Sequence, residues 1–225
     1  MNATSNGFTL LELFVIGGPV MWPLLVFSIA VFGITVERIV YLIYHNLKLD
    51  DLKEKVESAI ESGNTDEARV FLEGLTKKRM GARILLPLVK SKGLSERRLE
   101  KAVEIEAAAC INSLENGFNF LMALGSIAPL TGFLGTVTGM IGAFKSIAEA
   151  ADVNAQIVAA GIYEALITTV FGLCIAIVAM FAHSIFSNIV DRFISETEGV
   201  CSELIVSITE KNEAMTASAQ GKIES

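Results

Sequence analysis

The sequence predicts an all-α membrane protein with three transmembrane helices and long helical extensions outside the bilayer. Three observations carry this reading. First, three stretches hold no charged residue: Leu13 to Val36, Asn116 to Phe144 and Ala165 to Val190. Each exceeds the roughly 20 apolar residues that a helix needs to cross a bilayer, and no fourth stretch does. Second, the 225-residue chain is 52% hydrophobic and only 19% charged, below the roughly 25% charged residues of ordinary soluble domains. Third, the segments between and after these stretches keep apolar residues at helical spacing.

The elements follow in order. Residues 1–14 form an N-terminal segment in the interface with the external face. Phe8, Leu10, Leu11, Leu13 and Phe14 supply its apolar side chains. Gly7-Phe8-Thr9-Leu10-Leu11-Glu12 resembles a type IV prepilin processing site, but the preceding residues carry no Lys or Arg and prepilins have one hydrophobic helix. Gly17, Gly18 and Pro19 interrupt the chain at the start of the first span, residues 15–44, and Trp22 lies near the boundary where aromatic belts form.

Residues 45–117 form a helical loop and stalk. Leu52, Val56, Ala59 and Ile60 repeat at helical spacing, and Gly63-Asn64 ends that helix. Thr65 or Asn64 is placed to cap the next helix, whose apolar face is Ala68, Phe71 and Leu72. Gly74, Gly81, Pro87 and Gly93 divide the middle into short pieces, and Ser95 reads as an N-cap. From Glu96 to about Ile147 the pattern predicts one continuous helix. The stripe Leu99, Val103, Glu106, Cys110 and Leu114 runs into the second span, residues 118–147.

A short external loop at 148–156 leads to the third span, residues 157–186. The stripe Phe193, Ile194, Val200, Cys201, Leu204, Ile205 and Ile208 predicts a helical continuation over 187–213, packed on the stalk. Residues 214–225 read as a flexible tail.

Basic residues orient the chain. Of its 18 Lys and Arg, 13 lie between His45 and Gly117, whereas the N-terminal tail has none and the connection between the second and third spans has only Lys145. Positive charge collects on the cytoplasmic side. The N-terminus is therefore expected outside and the C-terminus inside.

Composition also excludes functions. The net charge is −7 and no basic run exceeds Thr76-Lys77-Lys78-Arg79, which argues against a nucleic-acid binder. Cys110, Cys174 and Cys201 fit no zinc or redox spacing, and only His45 and His183 offer imidazole. No resident metal or cofactor and no enzymatic activity are expected. His183, at the inner end of the third span, reads as an interfacial residue in preference to a proton relay.

The spans themselves carry a pattern. Gly125, Ala128, Gly132, Gly135, Gly139 and Gly142 follow one another at intervals of three and four residues and form a row of small residues down one face of the second span. In lipid such a row permits close approach of another helix. The sequence leaves open whether that helix belongs to the same chain or to a neighbouring one. Pro129 removes a backbone hydrogen bond to Gly125 and is expected to bend the span. Thr131, Thr136, Thr138, Thr168 and Thr169 place five hydroxyls in two adjacent spans, as bonds to carbonyls one turn back or as a polar path. Glu164 opens the third span and shares a face with Thr168. Acids so placed mark ion pathways, though pairing with Lys145 is the structural alternative.

The segment from Leu124 to Met140, with Pro129, Thr136 and the glycine row, resembles the second span of the MotA/TolQ/ExbB proton-channel family. Gly161 to Leu173, with Glu164 and Thr169, resembles the third. Three spans fit the ExbB/TolQ branch. The resemblance implies a homo-oligomeric ring, a pentamer, in the bacterial inner membrane. It implies an ExbD- or TolR-like single-span dimer inside the ring, supplying a membrane Asp, and a TonB- or TolA-like protein that receives the work. Thr136 and Thr169 then match pore-facing threonines, with Glu164 and Thr168 beside them. Pro129, Gly132, Gly135 and Gly139 serve packing and shape. The translocated ion is expected to be H+, with Na+ the alternative because hydroxyls suit both. A scaffold that conducts nothing is the reading from a different class.

Overall fold

The computed structural model describes residues 10–62, 65–90, 95–149 and 155–221, and among these every regular element is a helix. There are eight: α1 (Leu10–Ile16), α2 (Met21–Tyr44), α3 (Asp50–Ser62), α4 (Thr65–Leu75), α5 (Met80–Lys90), α6 (Glu96–Glu115), α7 (Phe118–Glu149) and α8 (Ala155–Gly221). Three stretches are long and apolar enough to cross a membrane, within Met21–Tyr44, Glu96–Glu149 and Val158–Lys211. The prepilin-like residues 7–9, the turn at Gly63-Asn64, Gly93, residues 150–154 and the tail after Gly221 lie outside the described residues.

The chain divides into two compact units. The first comprises Met1–Glu37 and Gly117–Ile185. Its α1 ends where the sequence places a break: Gly18 adopts φ +68, a conformation that costs glycine nothing and disfavours other residues. Here α7 lies along α8, with Leu121, Ala128, Ala165, Ala176 and Ala179 buried between helices. Much of the outer surface stays apolar. Phe32, Phe120, Leu130, Phe133, Ile177 and Phe181 are exposed, as suits a surface solvated by lipid or by further chains.

The second unit comprises Arg38–Asn116 and Phe186–Ser225. Helices α3 to α6 pack in sequence around Leu49, Leu52, Val56, Leu72, Ile84, Leu85 and Leu99. The two apolar stripes read from the sequence are its core. Leu99, Val103, Cys110 and Leu114 on α6 are buried, and so are Phe193, Cys201, Leu204 and Ile205 on α8. Polar clamps fix the assembly. Lys53 donates to Glu203 at 2.6 Å, and Lys211 donates to the Ile60 carbonyl and, at 2.7 Å, to that of Glu61. Arg79 forms a bidentate pair with Asp51 and reaches the Lys48 carbonyl at 2.6 Å.

Four local expectations change. The single helix foreseen from Glu96 to Ile147 is two, because Gly117 turns with φ +87 between α6 and α7. Arg38 supports that break: its guanidinium donates to the carbonyls of Ser113 at 3.3 Å and Leu114 at 3.4 Å, in the last turn of α6 where carbonyls lack helical partners. The middle is made of short helices as foreseen, α4 ending one residue after Gly74 and α5 beginning one residue before Gly81, but Pro87 lies inside α5 and does not end it. Gly81 is there for space, since a Cβ would stand 2.7 Å from Leu49 Cδ2 and 3.1 Å from Leu52 Cδ1. Ser95 is the N-cap of α6 as foreseen, though its side chain makes no capping bond, whereas Thr65 is the first residue of α4 and its buried hydroxyl has no partner among the described residues. Finally, α8 continues beyond Glu213 to Gly221.

Candidate ion pathway

The glycine row of α7 faces α8 of the same chain. A Cβ on Gly132 would stand 2.7 Å from the Thr168 carbonyl oxygen and 3.0 Å from Thr169 Cα, and one on Gly135 would collide with the Thr168 side chain. The opposing surface is small as well. A Cβ on Gly172 would stand 2.6 Å from the Ala128 carbonyl oxygen, and one on Gly161 would stand 2.7 Å from the Ala143 Cβ. Gly139 meets Ala165 and the Gly161 carbonyl at 3.1 and 3.2 Å. Gly142 has open space on its face. The choice left open by the sequence is thus resolved for most of the row: it is an intrachain seam, where bare backbones approach closely enough for dispersion and side-chain hydrogen bonds to hold helices in lipid.

The hydroxyls divide into two classes along this seam. Thr131 and Thr138 donate to carbonyls one turn back on α7, Ile127 at 3.0 Å and Leu134 at 3.0 Å. Thr136 does the same to Phe133 at 2.6 Å. Their protons are spent within the helix, and only acceptor lone pairs remain outward. Thr168 and Thr169 instead reach across. Both lie within donating distance of the Gly132 carbonyl, at 3.1 and 3.2 Å, and Thr168 also reaches the Ala165 carbonyl at 2.8 Å. Thr168 is 1% exposed, whereas Thr169 and Thr136 are half-buried. Thr168 is therefore a rivet in the seam, whereas Thr131, Thr136 and Thr169 are half-buried and Thr138 is exposed. Pro129, also half-buried, sits inside α7 between the seam positions Ala128 and Gly132.

Glu164 lies one turn from Thr168 on α8 and is half-buried. Its carboxylate rests against the backbone of Gly18, where a Cβ would collide with Oε1 and stand 3.3 Å from Cδ. Sequence reasoning missed this neighbour, since nothing in the pattern around Gly18 points to a residue so distant in the chain. The foreseen alternative partner is engaged elsewhere: Lys145 pairs with Glu149 one turn along α7, at 3.9 Å. His183 packs edge-on against Phe118, with centroids 5.9 Å apart. Among the described residues no group of His, Cys, Asp or Glu is arranged to hold a metal ion.

A family model described as the MotA/TolQ/ExbB proton channel family matches residues 62–199, which include α7 and the part of α8 that forms the seam. The chain belongs to this family. Its similarity to curated relatives places it in the ExbB/TolQ-like branch, whose members are channel and motor subunits and not enzymes. It is 31% identical over 199 residues to the putative biopolymer transport protein ExbB-like 1 of Synechocystis, covering 87% of this chain and 77% of that one. It is 29% identical over 168 residues to the biopolymer transport protein ExbB of Salmonella typhimurium, covering 69% of this chain and 67% of that one. Over 74 residues, 33% of this chain and 32% of the relative, it is 45% identical to the Tol-Pal system protein TolQ of Haemophilus influenzae. The match to the ExbB of Pseudomonas putida spans 47% of that protein's length.

Proposed function

We propose that this protein is the ion-conducting subunit of an ExbB/TolQ-type motor in a bacterial inner membrane, with its N-terminus periplasmic and its C-terminus cytoplasmic. It assembles as a homo-oligomeric ring, a pentamer, around a single-span ExbD- or TolR-like dimer. Proton flow between the two drives motion that a TonB- or TolA-like protein carries to the cell envelope. Thr136 and Thr169 line the path, Glu164 stands at its outer end, and Thr168, Pro129, Gly132, Gly135 and Gly139 hold the α7–α8 frame. No resident cofactor takes part.

The observation that carries this reading is the chemistry of the α7–α8 seam in a chain of this family. Its two spans present half-buried hydroxyls at Thr136 and Thr169 but hold no charge from Asn116 to Phe144 or from Ala165 to Val190. A threonine orders water and accepts hydrogen bonds, yet its hydroxyl does not ionise at neutral pH. The path is incomplete without a carboxylate at mid-membrane depth, and a partner's Asp completes it.

The test is proton flux into proteoliposomes containing the complex purified from its native membrane. Thr136→Val combined with Thr169→Val is expected to abolish flux while the ring assembles normally. Wild-type flux from that assembled double variant refutes the assignment. Replacing proton by sodium gradients distinguishes the coupled ion. Recovery of this chain with no single-span companion, in mild detergent, refutes the partner-carboxylate mechanism.

A further inference from the structure

The second unit carries a cleft of about 930 Å³ between α3 and α4, made of residues that the ion path does not use. Its floor is small and apolar, with Ala59 and Ala68 half-buried or buried beside the Phe71 ring. Ser58 and Ser62, one turn apart on α3, add little bulk. Side chains this short let a further helix come close. With 13 residues, α3 is about 20 Å long, enough to seat about three turns of such a helix. Val70, which also lines the cleft, is 70% exposed. Valine is a weak helix former, so neither burial within this chain nor helix propensity accounts for it there.

The rim is charged, and its sign is uneven. Four acids, Asp51, Glu54, Asp66 and Glu67, line the cleft against one base, Lys55. Asp51 is engaged by Arg79. Asp66 and Glu67 lie in the first turn of α4, where acids also favour the helix terminus. Glu54 lies beyond the first turn of α3 and serves no such terminus. The clearest pointer is Lys55 itself. Its ammonium stands over the Phe71 ring, 4.6 Å from the centroid. The cleft thus already receives a cation on an aromatic face, supplied by its own wall.

We propose that the α3–α4 cleft docks a short basic helical segment of a partner protein. That segment lays an apolar side chain on the Ala59–Ala68 floor and a Lys or Arg on the Phe71 ring in place of Lys55. An acidic rim opposes nucleic acid and anionic lipid and draws in a basic segment. An apolar floor with an exposed valine suits a helix laid in a groove and is wasted on a passing counter-ion. The site shares no residue with the α7–α8 path and does not depend on ion conduction.

The test uses the full chain in phosphatidylcholine nanodiscs, with empty nanodiscs as background. The probe is a fluorescein-labelled peptide of about the length of α3, built from Ala, Lys and Arg with one central Leu and read by anisotropy. It is expected to bind, and a counterpart with Glu for every Lys and Arg is expected not to. Lys55→Ala is expected to tighten binding about fivefold, because one like charge leaves the rim and the ring face is freed. Glu54→Gln is expected to weaken it by about the same factor. Glu100→Gln, an equal loss of charge at an exposed position of α6 outside the cleft, is expected to change nothing. Phe71→Leu keeps an apolar side chain without the aromatic face and is expected to weaken binding about threefold. Ser58→Trp fills the cleft from an exposed position and is expected to abolish binding.

Failure of the basic peptide to bind overturns the site. So do equal losses from Glu54→Gln and Glu100→Gln, which reduce the attraction to net charge, and unchanged binding in Ser58→Trp, which puts the peptide elsewhere. Affinity that does not rise in Lys55→Ala overturns the exchange on the Phe71 ring. The rival occupant is a second copy of the chain, whose Arg97 and Arg98 are exposed on α6. Chains carrying Ser58→Cys and Arg98→Cys, each with Cys174→Ala because Cys174 is the exposed native thiol, are mixed and oxidised. A disulfide-linked dimer that the peptide prevents assigns the cleft to that copy and overturns the partner segment, and no such dimer supports it.

Discussion

At the residue scale, the seam makes sharply different demands on glycines that look alike in sequence. Gly135→Ala drives a methyl group into the Thr168 side chain, while Gly142→Ala meets nothing within 4 Å. The first substitution is expected to cost about 1–3 kcal/mol, the usual range for overpacking, and the second to be neutral or slightly stabilising because alanine is the better helix former. Thermal unfolding of the detergent-solubilised chain ranks the two. Thr168→Val keeps the volume but removes the cross-helix bond, and is expected to cost about 0.5–1.5 kcal/mol. Because Thr168 is buried and Thr169 is not, flux through an assembled Thr168→Val complex is expected to stay near wild type, whereas Thr169→Val lowers it. Equal losses of flux from the two single variants refute that division of roles.

At the element scale, the decisive feature is the break between α6 and α7. Helical spacing continues through Asn116 and Gly117, so periodicity alone reads one helix. Positive φ at Gly117 and the Arg38 guanidinium on the last carbonyls of α6 make two. Gly117→Ala is expected to destabilise the junction by about 1 kcal/mol, the cost of a left-handed conformation for a residue with a Cβ. Arg38→Ala removes a buried donor that is 6% exposed and is expected to cost about 1.5–3 kcal/mol, as for hydrogen bonds from a charged group. Hydrogen exchange of the amides flanking Gly117 is the measurement, with faster exchange expected in both variants. Similar reasoning explains Gly81. Glycine is a weak helix former, which makes it read as a break, yet packing of α5 against Leu49 and Leu52 outweighs a propensity cost of about 1 kcal/mol.

At the scale of the whole molecule, stability divides between a unit solvated by apolar surroundings and a unit held by a soluble-type core with surface ion pairs. The second unit carries the pH dependence that can be signed. The hydrogen bonds from Arg79 hold the Asp51 carboxyl below its ordinary value of 3.8. A carboxylate with a depressed value contributes stability above the unfolded value and loses it as pH falls through the folded one. Protection of α3 and α5 amides is therefore expected to decline below about pH 4. Asp51 is largely exposed, so the pair contributes less than about 1 kcal/mol. In Arg79→Ala this part of the acid response is expected to disappear, and a decline identical to wild type refutes the assignment.

Much of this protein was determined by sequence alone. The charge-free stretches mark the spans because a bilayer interior penalises charge and unpaired backbone groups, and this cost depends on local composition alone. The apolar stripes on α6 and α8 were legible for the same reason, since a helix of fixed period must bury the face it makes apolar. The row from Gly125 to Gly142 announced a close neighbour, and the order of Pro129, Thr136, Glu164 and Thr169 announced the family. Tertiary structure alone decided what each group meets. It turned most of the glycine row onto α8 of the same chain, buried Thr168 while leaving Thr169 half-exposed, ended α6 beneath Arg38, and set Glu164 against Gly18. These are contacts between residues far apart in sequence. Their partners are chosen by the volume and hydrogen-bonding groups that packing brings together, which no local period encodes.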